Sequence, residues 1–276
     1  MIAEVLKSVQ RLPSLPAVVL ELLASLNDDS LSLDSLARKI SLDQALSASV
    51  LRVANSSFYG RPGQVMSARD GIAMLGLRTV RQLVLTASLI KSVDGPMQGS
   101  FDLTTYWRHA IGTALCARAL AAHLGENPEQ AYTAGLLHDI GRLVLATRFA
   151  ERYAQVTAWR AANDGYLLAA EQEVLGFDHA VVGEALVRHW RLPAAIGQAA
   201  LSHQQPGAGT GHRLAQVIHV ADAVAHALDL SGQSDDLVPA ILVPVWNELE
   251  LSDDTMYKIF ARVEQQFEAA TAVLTG

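Results

Sequence analysis

A single cysteine, Cys116, in 276 residues excludes an intrachain disulfide, and its place in the apolar stretch ALCARAL points to a buried, inert thiol. It also leaves no thiolate set for a soft-ligand zinc site. Long apolar runs are missing too: half of the residues are apolar, yet charges interrupt them before any run reaches the roughly 18 residues a membrane helix needs. No membrane span is expected. The opening MIAEVLKSVQRLPSLP holds an early acid and lacks the basic start, apolar stretch and small-residue cleavage site of an export signal, so a cytoplasmic protein is expected. Strand-type alternation and fixed-period repeats are absent as well, which leaves helical periodicity as the organising signal.

Positive charge is scarce where it would matter for nucleic acid. Residues 1–95 carry ten Lys/Arg against eight Asp/Glu, whereas residues 96–276 carry eleven against twenty. The second part would repel a phosphate backbone, so no DNA partner is expected. The pair IAMLG and LRTVRQLVL, with Arg69, Arg78 and Arg81, superficially resembles a helix-turn-helix, but arginines at helical spacing read more simply as a solvated face.

What is present is helix after helix, giving an all-α class. Pro16 fits a first helical position ahead of a helix ended by Asn27-Asp28-Asp29, and Ser32 can cap the next, with Leu33, Leu36 and Ile40 on its buried stripe. Leu46, Val50 and Val53 face inward on the third, which Gly60 can stop. Ser67 with Asp70 resembles a capping box before GIAMLG and the longer LRTVRQLVLTASLIK. The Gly/Pro/Ser-rich stretch 93–103 reads as a linker, dividing the chain into an N-terminal helical lobe, 1–95, and a second lobe with a C-terminal helical extension, 96–276. That lobe opens with a helix ended by Gly125 and bearing Ile111, Leu115 and Leu120. One continuous helix is predicted over PEQAYTAGLLHDIGRLVLATRF, then helices near 151–163, 167–175, 179–189, 193–203, 212–229 and 254–273, interrupted only by HQQPGAGTGH and LVPAILVPV.

The nine histidines are concentrated between residues 109 and 226. His138 and Asp139 adjoin in the apolar GLLHDIGRL, where a buried carboxylate needs a pair, a hydrogen bond or an ion. Neighbouring helix positions point about 100° apart, but both side chains are long enough to meet one ion. His219, Asp222 and His226 share a second helix face, and His109 adds an imidazole from the lobe's first helix. A quartet of His109, His138, Asp139 and Asp222 offers two nitrogens and two carboxylates to one divalent ion, a set suited to iron, manganese or another first-row metal. His179 and His203 can complete a second ion position, and Arg142 is near enough in sequence to hold a phosphate. Against this stands the plainer reading of each residue alone: a histidine in an apolar helix is more often hydrogen-bonded within a core. His123, His189 and His212 are assigned that reading.

In chain order, RLPSLPAVVLELLASLNDDSLSLDSLARKISLDQALSASVLRVANSSFYG, ARDGIAMLGLRTVRQLVL, YWRHA, AGLLHDIGRLVL, EQEVLGFDHAVVGEALVRHWRLP and VIHVADAVAHAL resemble HDOD domains, bacterial signalling modules related to the HD phosphohydrolases and HD-GYP cyclic-dinucleotide phosphodiesterases. The resemblance implies a two-lobed helical HDOD fold with an HD-like second lobe, and a regulatory role through signalling partner proteins or a small ligand such as a nucleotide or cyclic dinucleotide. It places His109, His138, Asp139 and Asp222 on the HD metal quartet, His179 on the histidine before the Ile/Val-Gly pair of HD-GYP proteins, and His203 on the first histidine of their His-His-Glu segment. The chain departs from the enzymes in reading HDIGR rather than HDIGK, in carrying Gln204 and Gln205 after His203, and in having Gln205-Pro206-Gly207-Ala208-Gly209 in place of the GYP loop. A non-catalytic signalling module is therefore expected, with a metal-dependent phosphohydrolase as the alternative.

Overall fold

The computed structural model describes residues 1–12, 15, 19–21, 33–56, 65–92, 101–233 and 237–274. Among the described residues the chain is all-α, with fifteen α-helices, two 3₁₀ turns and no strand. The Pro16 helix start, the Asn27–Asp29 stop, the Ser32 cap, the side chain of Leu33, the Gly60 stop and residues 93–100 of the expected linker lie outside the described residues. No described helix is long and apolar enough to cross a membrane.

The chain forms two compact units, Met1–Ser14 with Val93–Val263, and Leu15–Ser92 with Glu264–Gly276. The smaller unit holds α2 (Leu33–Leu42), α3 (Gln44–Ala54), α4 (Ala68–Leu75) and α5 (Leu77–Ser92), which pack on one another. Leu36, Ile40, Leu46, Val50 and Val53 fill its interior, following the 3.6-residue stripe of the sequence. Ser67 caps α4 by accepting from the Asp70 amide, and its own hydroxyl donates to the Asp70 carboxylate at 2.6 Å.

The larger unit contains α1 (Ile2–Val9), α6 (Leu103–Leu124), α7 (Pro128–Leu137), α8 (Ile140–Arg148), α9 (Ala150–Asn163), α10 (Leu167–Leu175), α11 (His179–His189), α12 (Ala194–Ser202), α13 (Arg213–Ala227) and α14 (Val243–Glu248). The helix α15 (Asp253–Thr271) starts in this unit. Its centre is α6, which packs on α7 and α13, while α11 packs on α8 and α12. Asp102 starts α6 by accepting the Thr104 and Thr105 amides, and Gly125 ends it in the left-handed conformation. Ile111, Leu115, Cys116 and Leu120 are buried along it. The segment 237–242 is irregular, but the last residues of LVPAILVPV already belong to α14.

Two expectations are overturned: Arg81 is buried on α5 rather than on a solvated face, and one helix is interrupted. The predicted single helix over 128–149 is broken at His138 and Asp139, which lie between α7 and α8. Asp139 has left helical geometry, with φ −102° and ψ 11°. The break frees both side chains from the fixed divergence of a continuous helix, so the pair turns to one place without the stretching the unbroken helix would demand. Close backbone approach surrounds it. A Cβ on Gly135 would fall 2.8 Å from the Ala114 Cα, and one on Gly141 would collide with the His179 carbonyl and lie 2.7 Å from the Gly183 nitrogen.

Gly141→Ala should therefore push α8 off α11 and cost about 3 kcal/mol or more, since neither backbone atom can yield as a side chain would. Thermal and urea unfolding of the variant tests this; unchanged stability would show that the two helices approach less closely than described.

Candidate metal centre

Five elements bring the six candidate ligands to one buried region of the larger unit. His109 comes from α6, His138 and Asp139 from the α7–α8 break, His179 from the first position of α11, His203 from the end of α12 and Asp222 from the middle of α13. All six are buried. They form two overlapping groups that share His138. Around Asp222 Oδ1 stand the Nε2 atoms of His109 at 3.0 Å, His138 at 3.4 Å and His226 at 3.4 Å. Around Asp139 Oδ1 stand those of His179 at 3.0 Å, His138 at 3.6 Å and His203 at 3.6 Å.

These separations fit an ion. Ligands about 2.1 Å from one metal at right angles lie about 3 Å apart, the spacing found here. Within the sets His109, His138, Asp222 and His138, Asp139, His203 the ligating atoms all lie within 4.8 Å of one another. The outer hydrogen bonds point the same way. His138 Nδ1 lies 2.7 Å from the Gly135 carbonyl and His203 Nδ1 2.8 Å from that of Ala200. A carbonyl only accepts, so both rings carry a proton on Nδ1 and turn Nε2, the atom left to ligate, inward. His179 Nε2, 3.0 Å from Asp139 Oδ1, lacks the alignment of a hydrogen bond and is left unpartnered, as is His109 Nδ1.

Sequence reasoning missed Glu171 and left His226 and Gln204 outside the candidate set. Glu171 is fully buried, and its Oε2 accepts from both the His179 backbone amide at 2.9 Å and Nδ1 at 2.6 Å, fixing the ring's direction. In EQEVLGF, beside a second glutamate, it carries no local sign of this; only its contact with the start of α11 reveals it. His226 joins the Asp222 group through the three-and-four spacing, whereas His219 does not: its Nδ1 is bound to the His203 carbonyl at 2.8 Å and its Nε2 accepts the Leu242 amide at 3.0 Å. Gln204 sits with its amide nitrogen 2.9 Å from His203 Nε2 and so occupies the lone pair that a second ion would need. Of the histidines assigned a plain role, His123 is exposed and His189 Nε2 bonds the Leu12 carbonyl.

Burial alone would raise the carboxyl groups, but His138, His179 and the Arg142 guanidinium hold Asp139 well below the usual carboxylate range, and His109, His138 and His226 do the same for Asp222. Burial lowers His109, and burial with the neighbouring His138 lowers His203 to about 4. Against the same burial, Asp139 and Asp222 raise His138, while Glu171 and Asp139 raise His179 well above an ordinary imidazole. Two ionised acids thus draw positive charge to the space between them, as protons when no metal is bound.

Arg142 Nη1 donates to Asp139 Oδ2 at 2.6 Å, and its Nε lies 3.4 Å from the Tyr153 hydroxyl. A cavity of about 1140 Å³ opens beside the cluster, lined by Arg142, Asp139, Asp222, His226 and Tyr106 among others.

An all-helical fold with a buried His/Asp cluster at a broken His-Asp helix defines a chain of the HD kind. It belongs to the HDOD family, whose domain model matches residues 12–206. A solved HDOD domain protein of unknown function from Geobacter sulfurreducens is 27% identical, with a TM-score of 0.78 over 99% of this chain and 98% of that one. A candidate phosphohydrolase from Shewanella amazonensis SB2B is 27% identical, with a TM-score of 0.74 over 98% and 96%. An uncharacterized protein of Treponema pallidum is 24% identical over 70% of this chain, which spans 38% of that protein's length.

Because a ligating imidazole must surrender its inward proton, divalent metal uptake should release protons, on the order of one per ion. Titration calorimetry in buffers of different ionisation enthalpy reads this; a heat independent of buffer would contradict it. Glu171→Gln should lower metal affinity about 10- to 100-fold, by removing the charge that orients and sharpens His179. Competition with a chromophoric chelator measures it, and unchanged affinity would show that His179, 3.0 Å from Asp139, does not bear on the ion through that acid.

Proposed function

We propose that this chain is a regulatory, non-catalytic HDOD module that holds one divalent ion of the first-row type at the floor of a ligand cavity and signals through partner proteins. The reading is carried by one observation: imidazole and carboxylate atoms from five elements converge at metal-ligand spacing beside an accessible cavity. His109, His138 and Asp222 would hold the ion, with His226 or Asp139 adding a donor. The ion would supply a Lewis-acidic point that polarises an oxygen bound to it.

Restriction to one ion is supported by Gln204, whose amide proton faces the lone pair of His203. A two-metal clamp on an in-line displacement needs both positions filled and a shared acid between them. Here the second position loses a nitrogen to hydrogen bonding, and the Asp139 carboxylate is drawn toward Arg142 through its other oxygen. The cytoplasmic setting and the partner proteins belong to the same proposal.

A metal-dependent phosphohydrolase acting on a nucleotide or cyclic dinucleotide is the second reading. It is favoured by Arg142, which lines the cavity beside Asp139, and by the full-length likeness to the Shewanella protein.

Protein purified without added metal should contain about one iron, manganese or similar ion per chain by elemental analysis, lose it in Asp222→Ala, and show no turnover of nucleotides or cyclic dinucleotides with any divalent metal. Two ions per chain together with hydrolysis that vanishes in Asp139→Ala would overturn the proposal in favour of the phosphohydrolase.

A further inference from the structure

The stretch LVPAILVPV supplies no ligand to the metal centre, yet it is strongly apolar for a segment at the surface. Among the described residues ten large apolar side chains are exposed, and four of them, Val238, Leu242, Val243 and Tyr257, fall between residues 238 and 257. Exposure gathered in this way marks an interaction surface, whereas single exposed apolar residues scattered over a protein need no explanation.

These side chains border a groove of about 420 Å³ in the larger unit. It is walled by Val224 of α13, Val238 and Ile241 of the irregular segment 237–242, Trp246 of α14, and Tyr257 and Phe260 of α15. The walls are stiff. Pro239 fixes a backbone torsion within the segment and Pro244 another at the start of α14, and the Tyr257 ring meets the Phe260 ring edge-on at 6.3 Å. The Leu242 amide donates to His219 Nε2 at 3.0 Å, which ties the segment back to α13. A surface already formed loses little conformational freedom when a partner seats on it.

Shape and charge select the occupant. Val238 is 50% and Tyr257 71% exposed, so the groove is an open trough rather than a chamber enclosing a small molecule. Its walls are helices and an irregular strap, with no strand among the described residues, so what fits is a helix laying an apolar stripe along it rather than an added strand. Charge then sets that helix's polar face. Between residues 227 and 257 the sequence holds seven acids and no Lys, Arg or His; Asp253 lines the groove itself, and Glu250 is exposed just before it. Asp254 is tied to Lys258 at 2.5 Å. A second copy of this chain, paired about a two-fold axis, would set the acids of the rim against themselves. Anionic lipid would be repelled by the same rim.

We propose that this groove docks a basic amphipathic helix of a partner protein, with apolar side chains at i, i+3, i+4 and i+7 against Val238, Ile241, Trp246 and Tyr257 and with Lys or Arg facing the acidic rim. This gives the signalling module proposed above its docking surface and the chemistry of its partner, and rests on that reading for there being a partner. The docked helix would also bear on the cavity of the metal centre. Segment 237–242 is a shared wall: Leu237 and Ala240 line the cavity, Val238 and Ile241 line the groove, and Pro239 borders both.

The test titrates the full, metal-loaded chain with a tryptophan-free synthetic helix of leucine and lysine, its leucines at i, i+3, i+4 and i+7. A leucine/glutamate helix of the same pattern and a scrambled leucine/lysine peptide are the controls. Binding is followed by calorimetry and by the fluorescence of Trp246, assigned with Trp246→Phe. The leucine/lysine helix should bind about tenfold more tightly than either control and lose affinity as salt rises, because the rim's attraction is screened. Val238→Lys and Tyr257→Lys, at side chains exposed enough to be replaced without disturbing the core, should each weaken it about tenfold and leave metal content and melting temperature unchanged. Asp253→Asn should flatten the salt dependence. Equal binding of either control, binding undiminished in both lysine variants, or no binding by a protein that holds its ion would overturn the docking surface and leave the ion-holding module standing. Concentration-dependent dimerisation that buries Trp246 would overturn it in favour of a second copy. Helix binding that depends on Tyr257 in a protein that takes up no metal would support the docking surface and overturn the ion instead.

Discussion

Everything in the larger unit answers to two ionised carboxylates taken out of water. Asp139 and Asp222 are buried, and an isolated charge in such surroundings costs several kcal/mol unless opposite charge is set against it. The chain supplies that charge mainly with imidazoles: His109, His138 and His226 around Asp222, and His138, His179 and His203 around Asp139, with Arg142 on the outer oxygen of Asp139. Imidazole is suited to the task because its charge is conditional. It can carry a proton toward a carboxylate or surrender that position to a metal, so the same cluster is compensated in either state.

The backbone is arranged to make this convergence geometrically attainable. The helix is interrupted where the His-Asp pair falls, and Gly135 and Gly141 let the flanking segments close to distances that a Cβ would forbid. Gly141 in particular brings the start of α8 against the His179 carbonyl, and this contact sets Asp139 within 3.0 Å of the His179 ring. Glu171 then fixes that ring from behind through two hydrogen bonds. Packing and electrostatics are one problem here: moving α8 outward would separate the acid from its compensation.

Much of this was legible in the residues, and the rest was hidden for identifiable reasons. Helices 167–175 and 179–189 begin and end as read, because Gly176 and Asp178 act locally as stop and cap. The break at His138 escaped because GLLHDIGRLVL keeps an unbroken apolar pattern, and the interruption is imposed by tertiary contacts rather than by a local breaker. The six ligand candidates meet as a group, since a buried acid beside a histidine states its own need for compensation. Glu171 and Gln204 give no such signal: a glutamate and a glutamine in helical sequence ordinarily face solvent. Their roles depend on burial and on neighbours distant in sequence. His219 shows the limit of spacing, since sharing a face with Asp222 does not reveal that both of its nitrogens are already engaged.

The polar atoms left unmatched around this site form a pattern. His109 Nδ1, His179 Nε2, Glu171 Oε1 and the Tyr106 hydroxyl are buried without hydrogen-bond partners, all in or beside one cluster. A fold selected for stability alone would replace such groups or pair them, because unmet buried donors and acceptors each cost about 1–3 kcal/mol. These four stand in a unit whose helices elsewhere bury long apolar stripes, and that burial offsets their cost. The four are specific in kind: two imidazole nitrogens, a carboxylate oxygen and a phenol, groups that exchange protons or meet a cation rather than groups that fill space.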